Sequence, residues 1–327
     1  MERISVVVPA YNLASCLSAS LDSLLAQTYP DLEIVVVDDG STDDTGSIIR
    51  EYVAKFGNIR AIFKENGGVT SARLRGVAEA TGDWIGFMDG DDFVEPQMYA
   101  RLLENAHAAN ADISHCGHQI CFPDGRVEYV HRSQRIRQQD HRTGLWELLD
   151  NREVSLSLCT KLYRRELFAG LADWMPTDIR YNEDLLMNYY LFDHAGSAVF
   201  EGVCPYHYLL RKDSASCRGI SEGYIFDPIR VRRLLLERCA PEMREDVQQA
   251  LLRNLLFAYA QLDVHPQRKQ YGQYRQRVRE MLRKERDTFH LLSVRNQILA
   301  NMICCAPWSF HIAYGAYVAL FQREEQH

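Results

Sequence analysis

The 327-residue sequence lacks the two glycine-rich phosphate loops that commonly open an α/β domain. No G-x-G-x-x-G follows its first apolar run, which argues against a dinucleotide-binding Rossmann site. No G-x-x-x-x-G-K-[ST] occurs either, which excludes a Walker-type NTPase. Positive charge is not in excess: 37 Lys and Arg stand against 44 Asp and Glu, a formal net charge of −7, so a nucleic-acid partner is not expected. Internal repeats and low-complexity linkers are missing. The nine cysteines are odd in number and irregularly spaced, so they read as reduced thiols of a cytoplasmic protein rather than a disulfide framework. The opening apolar run, residues 4–8, is ended by Pro9 and is too short for a signal peptide. With 46% apolar and 25% charged residues the composition is that of a globular protein, and the length suggests about two domains.

What is present alternates between two periods. A continuous β-branched run at 4–8 predicts a buried strand and 33–37 a second, while 60–64 and 84–88 predict two more strands. Between them Leu13, Leu17, Leu21, Leu24 and Leu25 recur at helical spacing, and 45–56, 69–80 and 96–109 predict further helices, the last opening on Pro96. Such alternation indicates βαβ units and a doubly wound, mostly parallel α/β sheet. The middle third is less regular, with strands expected at 112–122, 127–130, 159–163 and 199–210 and helices at 143–151 and 183–194. From about 222 helical periodicity takes over. The organisation expected is 1–110 and 111–220 as two halves of one domain, followed by a helical region, 221–327.

In an open parallel sheet, ligands bind beyond the carboxyl ends of the strands. After the first predicted strand come Pro9, Ala10, Tyr11 and Asn12, and after the second Asp38, Asp39, Gly40 and Ser41. After the third comes Asn66-Gly67-Gly68, with Arg73 on the next helix, and after the fourth Asp89, Gly90, Asp91 and Asp92. Taken singly, the second and third clusters are also good turns. The last is harder to explain as a turn, because three carboxylates within four residues repel one another. A divalent cation would relieve that repulsion, and all-oxygen ligands favour Mg2+ or Mn2+, completed by substrate phosphates. Asp89, Asp91 and Asp92 are therefore the candidate metal ligands. His115, Cys116, His118 and Cys121 fall on one strand and alternate between its faces, so they are read as structural.

Glu183-Asp184 opens an apolar helix, where a carboxylate is favourable for electrostatic reasons alone. Farther on, residues 266–286 hold eight Lys or Arg against two Glu, and no charged residue occurs from 296 to 322. Pro307 and several polar residues split that charge-free run into pieces too short to span a bilayer. Core helices are one reading; a basic, apolar tail on the anionic inner face of a membrane, through 266–322, is the other.

As an ordered set, the motifs Val7-Val8-Pro9-Ala10-Tyr11-Asn12, Gln27-Thr28-Tyr29-Pro30, Val37-Asp38-Asp39-Gly40-Ser41-Thr42-Asp43, Asn66-Gly67-Gly68 with Ala72-Arg73, and Met88-Asp89-Gly90-Asp91-Asp92 resemble family-2 glycosyltransferases of the GT-A fold. The likeness continues through Lys161-Leu162-Tyr163, Asn182-Glu183-Asp184 and the stretch 206–216, and so covers roughly 1–220. It implies transfer of a hexosyl or N-acetylhexosaminyl group from a nucleotide-sugar, usually UDP-linked, with inversion. By the same resemblance Ala10 and Tyr11 flank the base, Asp39 accepts from its ring nitrogen, and Arg73 lies by base and phosphates. Asp89 approaches the ribose and Asp91 ligates the metal, with Asp92 a second participant. Asp184 is the base that deprotonates the acceptor, and Glu183 orients it. Arg211, Ser214 and Ser216 neutralise the departing diphosphate, and Lys161 reaches the acceptor pocket. Leu74 departs from the family pattern, in which asparagine usually follows the Ala-Arg pair.

The expectation is thus a glycosyltransferase acting on a glycan or lipid-linked acceptor, cytoplasmic or peripheral on the inner membrane face, with a homo-oligomer compatible. Two other classes fit parts of the pattern. One is a nucleotidyltransferase, which would usually want a glycine-rich loop after the first strand. The other is a non-catalytic nucleotide-sugar-binding or scaffold protein.

Overall fold

The computed structural model describes residues 2–133, 135–211 and 219–321, the last six of these as backbone alone. Two compact units result, Met1–Gly219 and Ile220–His327.

The first unit begins with β1 (Ile4–Ala10), α1 (Leu17–Leu25), β2 (Leu32–Asp38), α2 (Thr45–Lys55), β3 (Ile59–Phe63), α3 (Val69–Glu79), β4 (Trp84–Phe87), the two-residue β5 (Phe93–Val94) and α4 (Met98–Ala109). It continues with β6 (Ile113–Cys121), β7 (Val127–Val130), β8 (Ile136–Asp140), α5 (His141–Asp150), β9 (Lys161–Arg164), a short α6 (Leu171–Trp174), α7 (Glu183–His194) and β10 (Ser197–Leu209). The strands form one sheet in the order β3-β2-β1-β4-β9-β6-β10-β5, with β7 beside β6 and β8 beside β10. β3, β2, β1 and β4 are mutually parallel, as are β6 and β10, while β9 runs antiparallel to β4 and β6. All seven residues of β1 and of β2 are buried, as strands covered on both faces require. α3 lies directly on β1: Gly76 meets Val7 where any side chain would collide.

Two expectations shift. The fourth helix starts at Met98, because Pro96 is still in the loop, its carbonyl accepting from Thr28 N at 2.8 Å. β8 was not expected at all. Its sequence, Ile-Arg-Gln-Gln-Asp, has no apolar alternation. It is a strand because its backbone pairs antiparallel with residues 197–201 of β10.

The second unit is helical, as expected: α8 (Glu222–Arg238), α9 (Arg244–Val264), α10 (Gly272–Lys284), α11 (Val294–Cys305) and α12 (Pro307–Phe321). Leu251, Leu255 and Leu262 of α9, Val278 and Leu282 of α10, and Ala300, Ile303 and Phe310 share one core. Much of the basic and charge-free sequence therefore serves this core. Arg279 and Arg283 donate to the carbonyls of Ile303 and Cys304 at the end of α11. Val294, Ile298, Trp308 and Ile312 remain exposed. Among the described residues, no helix is long and apolar enough to cross a membrane.

Candidate functional site

The loops after β1, β2 and β3 lock onto one another. The chain leaves β1 through Tyr11, half of whose surface is exposed, and Asn12, at φ 54°. Asn12 Oδ1 accepts from Thr42 N at 2.8 Å, and Asn12 N donates to Ser41 Oγ at 3.0 Å. Asp38 Oδ1 accepts from Ser41 N at 2.9 Å, closing the turn over Gly40. Gly40 has φ 75°, and a Cβ there would stand 2.8 Å from Asn66 N, so the third loop seats on a bare backbone. Asp39 ties these loops together: Oδ1 accepts from Lys64 Nζ at 2.5 Å and Gly67 N at 3.0 Å, and Oδ2 from Gly68 N at 2.8 Å. Asp39, 3% exposed, thus shapes the loop from within, and in this arrangement its oxygens serve the backbone before any base. Lys64 was not singled out from the sequence, though it follows the third strand and the strand-end rule reaches it.

The three carboxylates after β4 have different fates. Gly90 carries them close to β1, where a Cβ would lie 3.2 Å from the Pro9 carbonyl and 2.8 Å from Leu13. Asp92, 2% exposed, accepts from the Tyr206 hydroxyl at 2.5 Å and from Leu209 N at 2.8 Å. Burial, aided by the charge of Asp89, raises its carboxyl far above the ordinary range. Both its oxygens hold the end of β10, which leaves Asp89 and Asp91 as the pair with oxygens to offer. Asp91 Oδ2 accepts from Arg211 Nη2 at 2.6 Å. Burial and the neighbouring Asp89 push its carboxyl up, against the pull of Arg211. Among the described residues, Asp89 Oδ2 carries no hydrogen bond, and beyond Arg211 the Asp91 carboxyl is met by its own backbone N–H. No group of three His, Cys, Asp or Glu among the described residues forms a ready metal cage. The donor set still fits a divalent cation, because Asp89 and Asp91 each already hold a guanidinium as counter-ion, from Arg73 and Arg211, and phosphates can complete the shell.

Arg73 joins this cluster to the helix α7. Its side chain, 3% exposed, donates from Nη2 to Asp89 Oδ1 at 2.9 Å and from Nη1 to Glu183 Oε1 at 3.3 Å and to Asp184. The negative charges of Asp184 and Asp89 outweigh its burial and hold its pKa up. Asn182, left-handed at φ 65°, turns the chain into α7 and presents both acids. Glu183 is raised to about 8, by burial first and the charge of Asp184 second. The resemblance implies Arg73 beside base and phosphates; the structure buries it among three carboxylates, two of them more than a hundred residues away in the chain, a contact that no local pattern announces.

The resemblance sends Lys161 to the acceptor pocket. It is fully buried, donates to the carbonyls of Ser155 (2.7 Å) and Ser157, and thus braces the 155–160 loop. Burial lowers its pKa to about 7. Ser214 and Ser216 lie outside the described residues. His115 is buried against Gln139 and pushed down to about 3 by burial, in keeping with a structural role.

The model of glycosyl transferase family 2 matches residues 5–171, about half of the chain. The chain belongs to that family. Bacillus subtilis (strain 168) uncharacterized glycosyltransferase EpsJ is 36% identical over 195 residues, 59% of this chain and 56% of that protein. Escherichia coli (strain K12) uncharacterized glycosyltransferase YibD is 31% identical over 211 residues, 58% of this chain and 61% of that protein. The matches thus span little more than half of these curated relatives. Among solved structures, S. aureus TarS 1-349 in complex with UDP-GlcNAc superposes with a TM-score of 0.77 at 19% identity, covering 96% of this chain and 91% of that one. That likeness shows a shared GT-A fold. Arg73, Asp89 and Asp91 lie within the matched span of the family-2 model, whereas Glu183, Asp184 and Arg211 lie beyond it.

Proposed function

We propose that this family-2 protein is an inverting glycosyltransferase that moves a hexosyl or N-acetylhexosaminyl group from a UDP-sugar to a hydroxyl of a glycan or lipid-linked acceptor. The observation that carries the reading is the Arg73 guanidinium, which holds Asp89 of the strand-end cluster on one side and Asp184 on the other. Donor-side and acceptor-side carboxylates are thereby one guanidinium apart. TarS in complex with UDP-GlcNAc supports a UDP-linked donor.

In this mechanism Asp184 takes the proton of the acceptor hydroxyl as its oxygen bonds the anomeric carbon and the bond to the diphosphate breaks on the opposite face. Glu183 lies beside Asp184 and keeps it in place through their shared arginine. Asp91 and Asp89 would hold Mg2+ or Mn2+, which supplies charge neutralisation for the leaving diphosphate. Arg211, already on Asp91, lies within reach of a diphosphate docked there and adds charge-assisted donors. Pro9, Ala10, Tyr11, Asn12, Asp38 and Asn66 form the interlocked wall for the nucleoside. A cytoplasmic enzyme peripheral on the inner membrane face would make that contact through Val294, Ile298, Trp308 and Ile312.

The test is a panel of nucleotide sugars incubated with Mn2+ or Mg2+, read as released nucleotide diphosphate. One UDP-sugar is expected to be turned over, and chelator is expected to stop it. Release that ignores chelator would remove the metal from the mechanism.

A further inference from the structure

The helical unit concentrates arginine that the transfer reading leaves unused. On α10, Arg275, Arg279 and Arg283 recur every fourth residue and so share one face. With Arg268 they line a cleft of about 380 Å3, in which Glu280 is the one acidic lining residue among those described.

Each guanidinium is fastened by one edge. Arg268 Nη2 and Arg275 Nη1 lie 3.1 and 2.7 Å from Oδ1 of Asp263, a carboxylate buried to 1%. Arg279 donates from Nε to Ile303 O and from Nη2 to Cys304 O, both at 2.9 Å. Arg283 donates from Nε and Nη2 to Cys304 O at 3.2 and 2.8 Å. Among the described residues, the other terminal nitrogen of each carries no hydrogen bond, and Nε of Arg275 is buried without a partner. Asp263 answers part of this charge. The partners of Arg279 and Arg283 are carbonyl dipoles, which orient a cation without neutralising it. Among the described residues the cleft therefore keeps positive charge beyond what its acids answer, in a chain whose net charge is −7.

Arginine rather than lysine makes this wall, and a guanidinium fork matches the paired oxygens of a phosphate. Anchoring one edge removes most of the ordering cost of using the other. Beside the arginines stands Trp308, 69% exposed, an aromatic face for whatever the anion carries. We propose that this cleft binds a phosphate-bearing anion, a phosphate ester or diphosphate whose attached group lies against Trp308. The proposal stands apart from the transfer chemistry, whose residues all belong to the first unit; it shares only Trp308 with the membrane contact proposed above.

Inorganic pyrophosphate titrated into the full chain with chelator present is expected to bind with a Kd of about 1 mM or tighter, and more weakly as salt rises. The double variant Arg279→Gln/Arg283→Gln is expected to bind about tenfold more weakly or worse. Both arginines also cap α11, so Glu280→Gln is the independent arm: it removes the cleft's own anion and is expected to tighten binding. Vesicles of phosphatidylglycerol, set against phosphatidylcholine, separate the sources of the phosphate. Co-sedimentation that requires Arg279 and Arg283 assigns it to a lipid headgroup, and pyrophosphate binding without it assigns a soluble ester. No binding of either probe by the parent protein, or binding indifferent to both sets of substitutions, would overturn the proposal.

Discussion

The strand ends of β1–β4 and the entry to α7 both gather carboxylates, and they hold them by different means. At the strand ends, Asp38, Asp39 and Asp92 accept from backbone amides, with Lys64 and the Tyr206 hydroxyl as additional donors. At α7 the side-chain cation on Glu183 and Asp184 is the guanidinium of Arg73. A carboxylate bound to amides is part of the loop it organises, and opening it unmakes the loop. A carboxylate bound to a guanidinium can change partners, since the cation has other anions to choose from. Asp89 and Asp91, held by Arg73 and Arg211, belong with the second kind although they sit among the first.

The sharpest way to break that distinction is at Asp91. Asp91→Ala is expected to cost more than the about 10–100-fold that loss of an outer-shell partner costs a metal site. Both metal-dependent UDP binding, by calorimetry, and turnover should go. Equal UDP affinity with and without Mn2+ in the parent protein would place Asp91 among the structural acids instead.

Arg73 comes next. Arg73→Met leaves Asp89, Glu183 and Asp184 without their shared cation, and removing one partner of a buried pair costs about 3–5 kcal/mol. Denaturant unfolding should report a loss of that order. An unchanged midpoint would mean that the three acids are answered from elsewhere.

Much of the first unit was legible in the sequence, for a physical reason. β1, β2 and β4, buried on both faces, are apolar almost throughout, and the edge strand β3 is short and only partly buried, yet the four polar clusters that follow these strands align along one sheet edge without further information. The helix 183–194 was equally plain, because its acids and its apolar face are local. β8 was invisible because backbone pairing with β10, not its own pattern, makes it a strand. The burial of Lys161 under the 155–160 loop was invisible because its partners are carbonyls, which no sequence motif marks. The use of Arg73 depends on a contact between α3 and α7, and that of the α10 arginines on how α11 ends.

Glu183 offers an effect that appears only as pH is varied. Its carboxyl rises to about 8 in the folded protein from an ordinary value of 4.5. Between those values the folded state keeps a proton that the unfolded chain has released, so stability falls as pH rises. The contribution is full below the ordinary value and lost as pH passes the folded one. Thermal unfolding should therefore show Tm declining between about pH 5 and about pH 8, with a shallower decline in Glu183→Gln. Identical slopes would mean that Glu183 is ionised throughout.

The account turns on Asp184 as the base, and Asp184→Asn tests it most directly because the substitution keeps the shape and removes the proton acceptor. Measured with the UDP-sugar found active in the panel, turnover is expected to fall by roughly 10²–10⁴ while metal-dependent UDP binding persists. Near-normal transfer by Asp184→Asn would contradict the account, and if Glu183→Gln lost transfer instead, the neighbouring carboxylate would be the base.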